Sequence, residues 1–221
     1  AGGRSVFALD VSDPAAFTTR QALWEISDLN MSLAEGVRNN IGFVLGKPVI
    51  VPTRGANGGV AWKAIFGNGY NSASGKAVLF VVDLNDASVR MIEAAESATT
   101  APAGSNGLGN LVVVDRFTTT TTNGTTTRRR GRDGMADIVY GADQKGAIWK
   151  FDLESAATSV TQPLFTTRTS TEGSLTYRQP ITGGMTAVSG LGDGAMLLFG
   201  TGSFSFNGDE RDTTVQGLYG V

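Results

Sequence analysis

Val78-Leu79-Phe80-Val81-Val82-Asp83-Leu84 is an unbroken apolar run closed by an aspartate, and the chain repeats this design. It recurs as Ser5-Val6-Phe7-Ala8-Leu9-Asp10-Val11 and as Ala147-Ile148-Trp149-Lys150-Phe151-Asp152-Leu153, each copy closely preceded by a glycine (Gly3, Gly75, Gly146). The three aspartates stand 73 and then 69 residues apart. Gly217-Leu218-Tyr219-Gly220-Val221 follows the same pattern up to the position before its aspartate, so the chain is expected to be an open arc or a fragment of a longer one. Self-similarity at a fixed period marks a repeat architecture. A short apolar run bounded by turn residues suits a strand covered on both faces.

Upstream of each copy lies a second apolar strand ending in glycine: Ala64-Ile65-Phe66-Gly67, Ile138-Val139-Tyr140-Gly141 and Met196-Leu197-Leu198-Phe199-Gly200. Further upstream come Val49-Ile50-Val51-Pro52, Leu111-Val112-Val113-Val114-Asp115 and Pro180-Ile181-Thr182-Gly183-Gly184-Met185, beside glycine or proline punctuation. Ser88 to Ile92 and Gln162 to Thr166 are weaker fourth strands. Small antiparallel sheets that succeed one another and cover each other's faces form a β-propeller. The expected fold is all-β, about three antiparallel blades of a larger, quinoprotein-like propeller, with residues 1–221 as one domain or a fragment of it. An ordinary β-sandwich is the alternative, and the phased aspartates and glycines argue against it.

Composition agrees and excludes much. Thirty glycines, six prolines and only 17% charged residues fit many short strands joined by tight turns. Eighteen basic and 20 acidic side chains give a net charge of -2, no field for nucleic acid or an anionic membrane. Histidine and cysteine are both absent, which removes the commonest general base, the usual zinc ligands, thiol nucleophiles and disulfides. No apolar run is long enough for a transmembrane helix, and Ala1 to Arg4 is not a signal peptide.

Three segments depart from the repeat. Asp13-Pro14 to Trp24-Glu25-Ile26-Ser27-Asp28 reads as a capped turn or short helix that bridges blades. Ala94 to Gly107, rich in Ala, Ser, Thr and Gly, reads as a surface loop. Thr118 to Thr127 holds eight threonines around Asn123-Gly124 and runs into Arg128-Arg129-Arg130, so residues 117–131 are expected to form a disordered loop insertion. That insertion could touch an acidic partner, although a solvated loop is the simpler expectation.

The residues Gly2 to Pro14, Trp62-Lys63-Ala64-Ile65-Phe66-Gly67-Asn68-Gly69-Tyr70-Asn71-Ser72, Asp137 to Leu153, Phe199-Gly200-Thr201-Gly202 and Gln216 to Gly220 together resemble the carboxy-terminal β-propeller domain of the PilC/PilY family. The resemblance spans nearly the whole chain. It implies a secreted protein of the bacterial envelope, associated with the type IV pilus tip through minor pilins. It further implies support of pilus biogenesis, extension and retraction, hence twitching motility, and adhesion to host or abiotic surfaces, with bound calcium as the regulator.

The family's EF-hand-like loop has the pattern Asp-x-Asp/Asn-x-Asp-Gly-x-x-Asp and lies just before the Tyr-Gly/Ala-Asp strand, where this chain reads Arg130-Gly131-Arg132-Asp133-Gly134-Met135-Ala136-Asp137. Calcium needs several hard oxygen ligands brought together by a tight turn. On the family pattern Asp133 is the fifth loop position, Gly134 the turn, Met135 a carbonyl donor and Asp137 the ninth position. Gly131 and Arg129 stand where earlier carboxylates belong, and Asp115 becomes the first ligand if the intervening segment bulges out. The implied ion is therefore Ca2+ on a degenerate loop. Against it, the guanidinium groups of Arg128 to Arg130 could pair with these aspartates and replace the ion. The bland alternative makes Asp133-Gly134 a hairpin turn and Asp137 a solvated strand start.

Two other functional classes remain. Propellers with Trp and Gly in each blade include quinoprotein dehydrogenases, yet no stacking residues with a catalytic carboxylate are recognisable here. A purely structural scaffold would bind nothing. Trp24, Trp62 and Trp149 are the obvious ligand candidates among the aromatics, although at blade-strand positions Trp62 and Trp149 are expected to fill the core, and Gly67, Gly69, Gly141, Gly200 and Gly202 are turn formers rather than a phosphate loop.

Overall fold

The computed structural model describes residues 3–16, 18–56, 58–95, 105–172, 175–190, 194–204 and 207–221. Strands β1 (Ser5–Leu9) and β2 (Ala22–Ser27) pair antiparallel, and a short helix α1 (Glu35–Asn40) follows them. Next comes a meander of β3 (Val49–Arg54), β4 (Val60–Gly67), β5 (Ala77–Asp83) and β6 (Val89–Ala94). After β7 (Leu108–Val114) the chain makes a separate hairpin, β8 (Phe117–Thr122) and β9 (Thr125–Arg130). It then returns as β10 (Ile138–Asp143), which pairs with β7 and with β11 (Ala147–Asp152). Strand β12 (Ser159–Val160) adds in parallel to β6, while β13 (Phe165–Thr166) adds antiparallel to β11. A small hairpin, β14 (Thr169–Glu172) and β15 (Leu175–Arg178), precedes a last sheet of β16 (Met185–Ser189), β17 (Ala195–Gly200) and β18 (Leu218–Gly220).

The inner strands explain why these sheets stack. Along β5, Ala77, Leu79 and Val81 enter a layer shared with Val139, Trp149 and Phe151 of the following sheet. Val78, Phe80 and Val82 face the other way, onto Val6, Ile26, Val37 and Ile41. Strand β10 repeats the device, sending Val139 back to the layer of Leu79 and Trp149, the second along the chain after that of Val6 and Ile26, and Ile138, Tyr140 and Ala142 on to Ile181, Leu197 and Phe199. Alternate side chains of one strand therefore belong to two cores, and a continuous apolar run follows from that geometry. Each fully buried Leu or Phe contributes about 1.5–3 kcal/mol of transfer free energy. The result is an all-β arc of propeller blades, two full sheets flanked by a two-stranded and a three-stranded one.

The phased aspartates occupy one setting. Each ends or directly follows its strand and accepts the N–H two residues on: Ser12 N to Asp10 at 2.9 Å, Asn85 N to Asp83 at 2.8 Å, Glu154 N to Asp152 at 3.0 Å. This Asx turn lets a short carboxylate stop the strand and turn the chain. In the preceding strands, a Cβ added to Gly67 would lie 2.3 Å from the Leu108 carbonyl oxygen, so side-chain-free backbone is what lets the second full sheet close on the first.

Several expectations need correction. Trp24 to Ser27 form part of strand β2, because Ile26 opposite Val6 completes the first core layer; only Pro14–Ala16 and Thr19–Gln21 make single 3-10 turns. Residues 117–131, expected to be disordered, contain the regular hairpin β8–β9: β-branched threonines favour strand, and Asn123 (φ 51°) with Gly124 (φ 76°) supplies its two left-handed turn positions. The last sheet begins at Met185, and Ile181 makes only an isolated bridge to Gly202. Helix α1 and hairpin β14–β15 lie where nothing regular was expected. Most of the loop from 94 to 107, together with Phe17, falls outside the described residues.

Candidate functional site

Because β7 and β10 pair up to Val114 opposite Ile138, the residues just beyond that rung, Asp115 and Asp137, are neighbours across the ladder end. The hairpin β8–β9 leaves and returns at this point, closed at its base by Gly131 N–H donating to the Arg116 carbonyl at 3.1 Å. Asp115, Asp133, Met135 and Asp137 thereby come to one turn, with Gly134 at φ 84°. The Asp115 carboxylate accepts the N–H groups of Asp133 (3.3 Å) and Gly134 (2.8 Å), and Asp133 accepts the N–H of Met135 at 3.1 Å. Asp137, buried, accepts from Phe117 N at 2.6 Å and from Arg116 N at 3.2 Å. Burial pushes the Asp137 carboxyl up to about 6; the N–H donors and the Arg128 charge oppose that rise, and neighbouring Asp115 adds to it.

The turn also has a partner that its own spacing does not reveal. Arg54, at the end of β3 in the preceding sheet, donates from Nη2 to Asp133 Oδ2 at 2.5 Å and from Nε to Glu154 Oε1 at 3.3 Å. Arg128 of β9 pairs with Asp152 and approaches Glu154 Oε2 at 3.6 Å, its guanidinium lying over the Phe117 ring. Thr119 donates its hydroxyl to Glu154 at 2.9 Å. Glu154 follows a repeat aspartate by two residues and was within reach of sequence reading. Arg54 lies 79 residues from Asp133, and only the packing of two sheets brings them together.

A calcium ion at this turn would have to sit about 2.3–2.6 Å from carboxylate oxygens. At Asp133 one oxygen already serves an N–H and the other the Arg54 guanidinium. Among the described residues no group of three or more acidic, histidine or cysteine side chains is placed to hold a metal. The donor set therefore does not fit the ion that the family loop implies. Carboxylates held by backbone N–H groups fix the conformation of the loop that carries them.

Of the tryptophans, Trp149 is core and donates Nε1–H to the buried Asp143 at 2.8 Å, whereas Trp62 is 53% exposed, contrary to expectation. Trp62 lies in the outer half of β4, whose burial begins only at Ala64 and continues through Phe66 into the layer below.

The family model for the PilY1 beta-propeller domain matches residues 1–221. The chain belongs to the PilY1 β-propeller family. It is 39% identical, over its whole length, to a type IV pilus biogenesis factor PilY1 homolog of Xylella fastidiosa, of which it covers 14%. It is 29% identical, again over its whole length, to type IV pilus biogenesis factor PilY1 of Pseudomonas aeruginosa, of which it covers 18%. The crystal structure of the Pseudomonas aeruginosa PilY1 C-terminal domain superimposes with a TM-score of 0.69 at 29% identity, covering all of this chain and 43% of that one. The chain thus spans less than a fifth of the PilY1 proteins it matches, and the propeller arc is what it shares with them. Those relatives are named as pilus biogenesis factors, and no helix among the described residues is long and apolar enough to cross a membrane.

Proposed function

We propose that this chain is a propeller arc of a type IV pilus biogenesis factor, acting by binding and display at the bacterial envelope and pilus tip. The observation that carries the reading is the match of the whole chain to the PilY1 propeller, together with blades that repeat one Asx-turned inner strand. Stacked blades form a rigid body whose connecting segments are free to vary, which suits docking onto minor pilins and presentation to host or abiotic surfaces. Phe7 and Leu23 on the first sheet and Leu218 on the last are exposed apolar groups, as end sheets of a larger propeller would present. Calcium control is no part of this reading, because Asp133 is committed to Arg54.

The test is an in-frame deletion of this segment from its gene, in the bacterium that carries it. Sheared surface pili and twitching zones should both fall severalfold while pilin levels in the cell stay normal. Unchanged piliation and twitching would refute the role.

A further inference from the structure

We infer that Arg54 takes the place of a metal ion, so that the acidic turn is locked across two blades by the protein's own guanidinium groups and needs no calcium. The interactions form one line: Asp133 to Arg54, Arg54 to Glu154, Glu154 to Arg128, Arg128 to Asp152. Two cations are shared among three carboxylates, and their side chains are only 16–33% exposed. The line joins β3 of one sheet to the turn, the hairpin and the end of β11 in the next. A guanidinium suits this position because its planar fork can serve two carboxylates at once, which an ammonium does less well. Backbone bonds run alongside, with Ala136 N–H donating to the Pro52 carbonyl at 2.8 Å. A dication bound to Asp133 Oδ2 would meet the Arg54 charge at contact distance, so the two occupants exclude each other.

Thermal unfolding of the chain, Asp133→Asn and Arg54→Gln, each in EDTA and in millimolar calcium, tests this directly. Wild type and Asp133→Asn should respond alike to calcium, and Arg54→Gln should melt lower than wild type in both buffers by at least about 4 °C. A calcium-induced rise in the wild-type Tm that Asp133→Asn abolishes would overturn the inference. So would an Arg54→Gln variant that melts with wild type.

Discussion

At the scale of single residues, short carboxylates set the geometry of this fold. Asp83 shows how: it caps its strand through Asn85 N–H and also pairs with Lys63, and these contacts, the Lys63 one foremost, hold its carboxyl below the ordinary value. A carboxylate with a lowered folded-state pKa contributes stability above its unfolded pKa and loses it as the pH falls through the folded value. Asp83→Asn keeps an oxygen for Asn85 N–H and removes only the ion pair. It should cost about 0.5–1 kcal/mol at neutral pH, as surface pairs do. The difference from wild type should shrink towards zero below about pH 4, and denaturant titrations across that range would show it. Asp143 behaves in the opposite sense. It is fully buried, and desolvation raises its carboxyl, although Ala147 N–H, Trp149 Nε1–H and Asn106 Nδ2–H all donate to it.

At the scale of elements, what the sequence made legible is what local rules govern. Strands β5, β10 and β11 and the second half of β4 are visible as apolar runs because they are buried on both faces, and the aspartates that close β5 and β11 are visible because each recurs at the same point of its strand to make an Asx turn. The β8–β9 hairpin is masked by its low-complexity composition, although it carries a signal of its own. Asn-Gly between β-branched residues is a hairpin code, and Thr120 pairs with Thr127 and Thr121 with Thr126 through their hydroxyls, at 2.9 and 3.0 Å. Of the candidate site, Asp115, Asp133 and Asp137 could be read from the chain, but Arg54 could not, since no periodicity links residues of different blades. Closeness between sheets gives the next expectation. Gly67→Ala would drive a methyl group against the backbone oxygens of Leu108 and Gly109, neither of which can rotate away. It should cost more than the roughly 1–3 kcal/mol of ordinary overpacking, measurable as loss of soluble protein or a sharply lowered urea midpoint.

At the scale of the molecule, the three apolar layers are linked in series because β5 and β10 each serve two of them. Phe80 is fully buried and stacks on Phe66 at 5.3 Å, deep in the first layer. Phe80→Ala should cost about 3–5 kcal/mol. If the layers are coupled, the fluorescence of Trp149 in the second layer, read in a Trp24→Phe, Trp62→Phe background, and far-UV circular dichroism should shift to the same lower midpoint. Separate transitions would show that each layer melts alone. Beyond its base, where Phe117, Thr119 and Arg128 meet the blades, the hairpin stands apart from this coupling, since its two strands pair only with each other and its ends meet at Gly131 and Arg116. The body of the protein therefore senses where the ribbon is rooted and not how long it is. A peptide tag spliced between Asn123 and Gly124 would be carried outward like a pennant, making this tip a convenient port for labelling the protein.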